Sequence, residues 1–255
     1  MTLAASDLLD LFQSVGAMAV LVFARIAALL SVTPGFGEQV IPSRVKIGLA
    51  FAFSAIVWPS LPYVDIDTIL PTVLISEVLT GLFFGICLRF FVHILQIAGS
   101  IAAQSTSLSQ IFGGTAGVDP QPAMGRLLLI AGLALAAMMG LHVQVARYIL
   151  LGYEMVPIGA VVTAEIAVDL GVDRIAKSFA FAFTLAAPFV VASLIYNLTL
   201  GFVNKAMPQL MVSFVGAPAI TAGGLLLLLI CSPLMLGLWV EAFGDFLLFP
   251  FGDLE

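Results

Sequence analysis

The sequence contains very few charged residues. Of its 255 residues, 9% are Asp, Glu, Lys or Arg and 62% are hydrophobic, whereas soluble globular domains carry about 25% charged and roughly 45–50% apolar residues. This composition excludes an ordinary soluble domain, and no polar stretch is long enough to form a separate one. Residues 1–255 are therefore predicted to form a single membrane unit.

Basic clusters and a cysteine framework are also lacking. The formal net charge is −6, and the sparse charges are spread thinly along the chain, without the Lys- and Arg-rich run that indicates nucleic-acid binding. The two cysteines, Cys87 and Cys231, lie in apolar segments, where a reduced thiol packs as a small hydrophobe. We therefore expect no nucleic-acid partner and no disulfide framework.

Catalytic and metal-binding motifs are likewise lacking. The two histidines, His93 and His142, lie in different segments, with no HExxH motif and no Cys, Asp or Glu at helical ligand spacing. The glycine-rich stretch GGTAGVD lacks the GK[ST] ending of a phosphate-binding loop. No nucleophile with a base and no carboxylate pair can be assembled. We therefore predict a protein that is not an enzyme, with no catalytic residue, metal or cofactor.

Long apolar regions are what the sequence does contain. They lie near residues 14–32, 45–61, 69–103, 127–151, 175–203 and 210–243. A helix needs about 20 apolar residues to cross the hydrocarbon of a bilayer, and none of the regions shows the alternation typical of a barrel strand. The predicted fold class is an all-α membrane protein with about six hydrophobic helical regions. No basic segment precedes the first region, so it is expected to stay in the mature protein.

Charged, polar and proline residues interrupt these regions. A charge at bilayer depth costs at least about 2.5–3.5 kcal/mol, and a proline frees a backbone carbonyl that needs another partner. The helices are therefore expected to be buried in an assembly or to lie partly outside the lipid. Regions 69–103 and 210–243 exceed a simple span, and each is expected to be a bent helix or a hairpin. The interrupting residues are Arg25, Glu77, Arg89, His93, His142, Arg147, Pro188, Asn197, Pro218 and Pro233.

In the third region, Glu77 is a candidate for an electrostatic role, and the glycines Gly81 and Gly85 are candidates for close helix packing. The carboxylate of Glu77 could relay protons, pair with Arg89 or cap a backbone break. Gly81 and Gly85 are four residues apart in GLFFG, a spacing that lets a neighbouring helix approach closely.

Several longer motifs are similar to those of one family. They include TPGFGEQVIPSRVKIGLAFAF, SEVLTGLFFG, LHVQVARYILLGYEMVPIG and, most specifically, NLTLGFVNKAMPQLMVSFVGAPAITAGG. From about residue 15 to 240 the chain resembles the FliR family of flagellar biosynthesis proteins, whose relatives serve virulence type III secretion systems. The last motif carries Asn197, Gly201, Asn204, Pro208, Gln209, Leu210, Gly216 and Pro218 at the spacing of the family.

The resemblance implies a subunit of a larger complex. FliR-like proteins are all-helical, multi-pass subunits of the export gate in the bacterial inner membrane, where they join FliP and FliQ in a ring at the flagellar basal body, next to FlhA and FlhB. Unfolded flagellar proteins pass through this gate, so exported chains and membrane lipid are further expected partners. Members resemble a FliP-like half fused to a FliQ-like half, which predicts N-terminal helices and a loop in residues 1–125 and helical hairpins in residues 126–255.

Two sets of site residues follow from the resemblance. The set expected to serve assembly or hairpin formation is Glu77, Gly81, Gly85, Asn197, Gly201, Asn204, Pro208, Gln209, Gly216 and Pro218. In the family, the loop between the third and fourth helical regions folds into the pore and helps to close it, and the matching residues here are 105–122. The plug residues so predicted are Ser107, Leu108, Ser109, Phe112, Gly113, Gly114, Gly117, Asp119 and Pro120.

The composition of this loop suits a plug, although the residues alone favour an ordinary helix connection and only the resemblance reverses that preference. Its glycines supply backbone freedom, the prolines stop a helix from continuing, and the scarcity of charge limits the cost of desolvation in a narrow pore. The loop departs from the family in carrying Ser107 where relatives usually have glycine, and in being longer by GGTAG.

Two alternative functions remain at this point. The first is the homologous subunit of a virulence injectisome, which has the same physical character and different substrates. The second is a stand-alone secondary transporter with a midplane site around Glu77, Arg89 and His93. A transporter of this kind would show repeated halves with matched broken helices, and the sequence contains no such repeat.

Overall fold

Helices account for all regular secondary structure in the residues that the structure describes. This computed structural model describes residues 5–62, 71–106, 123–207 and 212–250. The helices are α1 (Ala5–Val32), α2 (Ser43–Val57) followed by a 3-10 turn (Trp58–Ser60), α3 (Pro71–Ser105), α4 (Ala123–Met138), α5 (Leu141–Met155), α6 (Ala164–Ala206) and α7 (Val212–Leu248). The all-α prediction is confirmed for these residues.

Four of the described helices are long and apolar enough to cross a membrane. They are α1 over Val15–Val32, α3, α6, and α7 over Pro218–Leu248, and the pair α4 and α5 adds a fifth span if it is counted as one broken crossing. These helices are those of a multi-pass membrane protein. The predicted region 45–61 is not among them, because α2 has only 15 residues, which is about 22 Å at 1.5 Å per residue.

The number of helices in three of the apolar regions differs from, or narrows, the sequence prediction. The described parts of regions 69–103 and 210–243 each lie within one continuous helix, α3 of 35 residues and α7 of 37 residues, so the hairpin alternative is wrong for both. Region 127–151 is instead two helices bent by 80° at Met139 and Gly140. Gly140 has φ of +77°, a left-handed conformation that glycine adopts without steric cost.

The described residues form two compact units that alternate along the chain. The first comprises Met1–Phe90, Ala137–Arg174 and Gly244–Glu255, and the second comprises Phe91–Ala136 and Ile175–Phe243. Helices α3, α6 and α7 contribute residues to both. The units do not follow the predicted halves 1–125 and 126–255, and the division of those halves into FliP-like and FliQ-like parts stays a prediction.

Each unit has its own apolar core. In the first unit the buried side chains include Leu21, Ile26, Phe84, Leu88 and Tyr148. In the second they include Leu95, Leu128, Ala182, Phe189 and Trp239. The indole N–H of Trp239 donates a hydrogen bond to the carbonyl oxygen of Phe91 at 2.9 Å, and its ring stacks on Phe243. The polar end of this large side chain is thereby satisfied inside the core.

The outer faces of the last two helices are strongly apolar. Phe183 and Phe202 of α6 are 57% and 74% exposed, and Leu229 and Leu234 of α7 are 75% and 66% exposed. An apolar surface of this extent requires lipid or a neighbouring apolar helix. This agrees with the prediction that the chain is a membrane protein.

Helices α1 and α3 pack closely in the first unit because α3 has glycines at the crossing. A Cβ atom on Gly81 would clash with the carbonyl oxygen of Arg25, and one on Gly85 would lie 2.7 Å from the carbonyl oxygen of Leu29. The close neighbour expected at GLFFG is therefore the backbone of α1. Small residues allow this approach in membranes because dispersion contacts then form along the whole crossing.

Alanine at either glycine is expected to force α1 and α3 apart. Overpacking of this kind costs about 1–3 kcal/mol, so Gly81→Ala and Gly85→Ala should lower the thermal unfolding temperature of the detergent-solubilised protein. Gly48→Ala on α2 is the matched control, since no atom lies within 4 Å of its added Cβ. Equal unfolding temperatures for Gly81→Ala and Gly48→Ala would contradict the prediction.

Candidate functional site

A buried ion pair links α1 to α3 in the first unit. The Nε–H of Arg25 donates to Oε2 of Glu77 at 2.6 Å, and its Nη2–H donates to Oε1 at 2.9 Å. The Arg25 and Glu77 side chains are 2% and 0% exposed. The two-pronged geometry matches the planar guanidinium to the planar carboxylate and gives two charge-assisted hydrogen bonds.

The same pair binds the connector between α5 and α6. Arg25 donates from Nη1 to the carbonyl oxygen of Val156 at 2.6 Å and from Nη2 to that of Pro157 at 3.2 Å. The backbone N–H of Gly159 donates to Oε1 of Glu77 at 2.8 Å. The guanidinium also lies 4.2 Å from the ring centroid of Tyr153, a cation–π contact. Three segments distant in sequence therefore meet at one pair of charges.

Sequence reasoning named the wrong partner for Glu77. The partner is Arg25, whereas Arg89 donates a long hydrogen bond of 3.3 Å to the carbonyl oxygen of Val32. Arg25 was visible only as an isolated charge in the first apolar region, opposite in sign to Glu77. Since both carboxylate oxygens of Glu77 accept hydrogen bonds from the chain itself, the geometry favours a structural ion pair over a proton relay.

The predicted plug residues Ser107, Leu108, Ser109, Phe112, Gly113, Gly114, Gly117, Asp119 and Pro120 lie outside the described residues. The residues that flank this segment lie in the second unit. On α3 and α4, a Cβ atom on Gly99 would lie 2.6 Å from the backbone nitrogen of Gly125, and one on Gly125 would lie 2.9 Å from the carbonyl oxygen of Gln96. The two flanking helices therefore meet backbone to backbone.

The end of α3 is fixed by a second close contact. Thr106 is buried, and its hydroxyl donates to the carbonyl oxygen of Ala102 at 2.9 Å. A Cβ atom on Gly224 of α7 would lie 2.6 Å from Cβ of Thr106. Thr106, at the start of the predicted plug segment, and the helix after that segment are thus held by glycine contacts, although Gly99, Gly125 and Gly224 were not among the predicted site residues.

The predicted hairpin residues divide into three groups. Pro208 and Gln209 lie outside the described residues. Gly216 lies against α6, where the hydroxyl of Tyr196 donates to its carbonyl oxygen at 2.6 Å and where an added Cβ would lie 3.2 Å from Leu200. This contact joins α6 and α7 near their connection at residues 207–211.

The third group is exposed. It consists of Asn197, Gly201, Asn204 and Pro218. No atom lies within 4 Å of a Cβ added to Gly201. The side chains of Asn197 and Asn204 form no hydrogen bond with other described residues. Exposed carboxamides on an apolar helix are typical of contacts with another helix, and an assembly role for these residues stays a prediction.

Each residue of the alternative transporter site has a hydrogen-bond partner outside that set. Glu77 is occupied by Arg25, Arg89 binds the Val32 carbonyl, and Nδ1 of His93 lies 2.8 Å from Oε1 of Gln96. Within the described ranges, no group of three His, Cys, Asp or Glu residues is placed to hold a metal ion. Cys87 and Cys231 are both free thiols.

Comparison with known proteins identifies relatives along almost the whole chain. The family model "Bacterial export proteins, family 1" matches residues 17–246. The flagellar biosynthetic protein FliR of Caulobacter vibrioides is 32% identical over 236 residues, which cover 90% of this chain and 94% of that protein. The proteins of the same name from Aquifex aeolicus and Escherichia coli are 28% and 27% identical and cover 87% and 83% of this chain, and 88% and 82% of their own lengths.

Removing one charge of the buried pair is expected to destabilise the protein strongly. Arg25→Leu or Glu77→Leu leaves the other charge buried without its partner, which costs about 3–5 kcal/mol. The double variant Arg25→Leu, Glu77→Leu should recover most of this loss, because a buried pair replaced by apolar residues is often neutral. Thermal unfolding and the amount of full-length protein in membranes measure both effects. Arg89→Leu is the control and should cost only about 1 kcal/mol, since one long hydrogen bond is lost.

Alanine at Gly224 is expected to displace the end of α3. Because the added Cβ would overlap Thr106, Gly224→Ala should cost about 1–3 kcal/mol. The adjacent Gly223 has no atom within 4 Å of an added Cβ, and Gly223→Ala in a helix should be neutral or stabilising by up to about 1 kcal/mol. Gly224→Ala should therefore unfold at a lower temperature than Gly223→Ala. Similar unfolding temperatures would mean that Thr106 moves freely away from α7.

Proposed function

The chain belongs to family 1 of the bacterial export proteins, and we propose that it is a core subunit of a flagellar type III export gate. It forms a channel with FliP and FliQ in the inner membrane at the basal body, next to FlhA and FlhB. Unfolded flagellar proteins pass through this channel. The observation that carries the proposal is the match to FliR proteins from distant bacteria over most of both chains.

The surfaces of the described residues support a role inside an assembly. The outer faces of α6 and α7 are apolar over much of their length, and the same helix α6 also exposes Asn197 and Asn204. Carboxamides facing hydrocarbon would lack hydrogen-bond partners, whereas an adjacent subunit can supply them. We assign the FliQ-like part to the C-terminal half, which contains the hairpin of α6 and α7, and the FliP-like part to the N-terminal half.

Within this gate, residues 105–122 are proposed to obstruct the pore. The support is the placement of the described start of this segment and of the helix that follows it, since Thr106 lies against Gly224 and Gly125 lies against Gly99. A segment that closes a pore needs such fixed ends, because a plug whose base moved freely would not return to the same place. The flagellar system is preferred to a virulence injectisome because the relatives named above are flagellar proteins.

Deletion of residues 110–121 is expected to leave an ion leak. The host strain lacks the native gene and carries either the intact chain, the deletion variant or no gene. The intact chain should restore motility and secretion of flagellar proteins and should copurify with FliP and FliQ. The deletion variant should assemble equally well but raise the ion conductance of the inner membrane, because the proposed obstruction is removed.

Two outcomes separate the parts of this proposal. Failure of the intact chain to restore secretion, or to copurify with FliP and FliQ, would exclude the export-gate function itself. An assembled deletion complex with unchanged conductance would exclude only the plug and would assign closure to another subunit. Gly223→Ala serves as the control for expression and assembly, since its added methyl group meets no described atom within 4 Å.

A further inference from the structure

The connector between α5 and α6 is held mainly by charged side chains. Val156 is buried, but Pro157, Gly159, Val161 and Thr163 are exposed, so little apolar packing holds the chain after Val156. We propose that residues 156–160 form a strap that detaches from the Arg25–Glu77 pair while α1 and α3 stay together. This inference does not depend on the proposed export function.

Three hydrogen bonds join the strap to the Arg25–Glu77 pair, and two of them are only partly buried. A fourth, from the Val156 N–H to the Gly152 carbonyl oxygen, joins the start of the strap to the end of α5. Arg25 donates to the Val156 carbonyl in a buried position, whereas its bond to Pro157 and the bond from Gly159 to Glu77 are only partly buried. Water can replace a partly buried partner without the desolvation penalty that an enclosed group suffers. Detachment can therefore begin at Gly159 and Pro157 and proceed towards Val156.

The strap also carries its own turn. The backbone N–H of Ala160 donates to the carbonyl oxygen of Pro157 at 3.1 Å, and Gly159 has φ of +82° within this turn. Neither feature involves α1 or α3. Residues 157–160 can therefore leave as a preformed turn, so that little additional backbone order is lost or gained when the strap moves.

The contacts between α1 and α3 do not include the strap. The two hydrogen bonds between Arg25 and Glu77 join these helices directly, and Gly81 and Gly85 lie against the backbone of α1. When the strap leaves, Arg25 and Glu77 still neutralise each other. The lowest-cost opening at this site is therefore release of the strap and not separation of the helices.

Two buried hydroxyls provide independent support for an open state. Oγ1 of Thr80 and Oη of Tyr153 are buried and have no hydrogen-bond partner within the described part of the chain. The Tyr153 ring lies beneath Arg25, and Thr80 follows Glu77 by about one helical turn on α3. Water admitted by strap release can bond these hydroxyls as well as the freed donors of Arg25. Strap release thus gives these two hydroxyls access to hydrogen bonds that the described residues do not supply.

Hydrogen exchange of the detergent-solubilised full-length protein tests the strap. The double variant Arg25→Leu, Glu77→Leu removes all three bonds between the strap and the pair and retains the glycine contacts. Exchange in residues 156–160, and at the Gly159 amide in particular, should rise at least about tenfold, as expected for loss of a hydrogen bond to a charged group. Exchange in residues 81–92 of α3 should stay unchanged. Arg89→Leu removes no strap bond and should leave exchange in residues 156–160 unchanged.

A variant on the strap itself keeps the test independent of the ion pair. Gly159→Ala retains Arg25 and Glu77 but places a Cβ atom on a left-handed residue, with only ordinary contact to Val73 at 3.9 Å. The conformational cost should raise exchange of residues 156–160 by about five- to thirtyfold.

Either of two results would overturn the proposal. Exchange that rises equally in residues 81–92 would show that the strap and the α1–α3 crossing open as one unit. Unchanged exchange in residues 156–160 in both variants would show that contacts other than the ion pair hold the connector.

Discussion

One guanidinium inside an apolar helix is the constraint on which the first unit depends. Arg25 is almost fully buried, and an unpaired charge there would cost several kcal/mol. The chain meets this constraint with Glu77 from α3 and with two carbonyl oxygens from the connector after α5. The need of Arg25 for hydrogen-bond and charge partners therefore determines that α1 lies against α3 and that the connector lies beside both. The pair contributes less to net stability than to this choice of arrangement, because an apolar pair of similar volume would pack there equally well.

Glycine at helix crossings is the second recurring constraint. In the first unit Gly81 and Gly85 let α3 reach the backbone of α1, and Arg25 and Glu77 come within bonding distance at the same crossing. In the second unit Gly99 and Gly125 play the same part for α3 and α4. Apolar helices in lipid gain little from the hydrophobic effect when they associate, so close dispersion contact must supply the attraction. Glycines at these positions are therefore determinants of packing, and a methyl group is sufficient to disturb them.

The proposed function rests on the match to FliR proteins, and the surfaces of the described residues support it. The described residues present apolar faces on α6 and α7 and fixed flanks on both sides of residues 107–122. A subunit of a protein-conducting channel needs neighbouring subunits or lipid on its outer face and a segment fixed in place on its pore side. The strap adds a part that can move in the first unit while the α1–α3 crossing remains in place. The α1–α3 crossing is therefore the stable part of the first unit, and the strap is the part that opens.

The sequence by itself determined the membrane class, the helical character and the family, because a composition of 62% hydrophobic residues, long apolar regions and extended motifs are local properties of the chain. It also indicated that Glu77 and Gly81 needed close neighbours. Only the tertiary structure decided which neighbours they have. Arg25 and Glu77 are separated by 52 positions, and several other cations lie in the apolar regions, so their pairing depends on how α1 and α3 cross. Likewise, the division of region 127–151 depends on the left-handed backbone of Gly140, and the importance of Gly224 depends on Thr106 being placed against it. Periodicity and composition reflect the environment of each segment, either lipid, water or protein. Contacts between distant segments form only when the helices pack, so local patterns do not predict them.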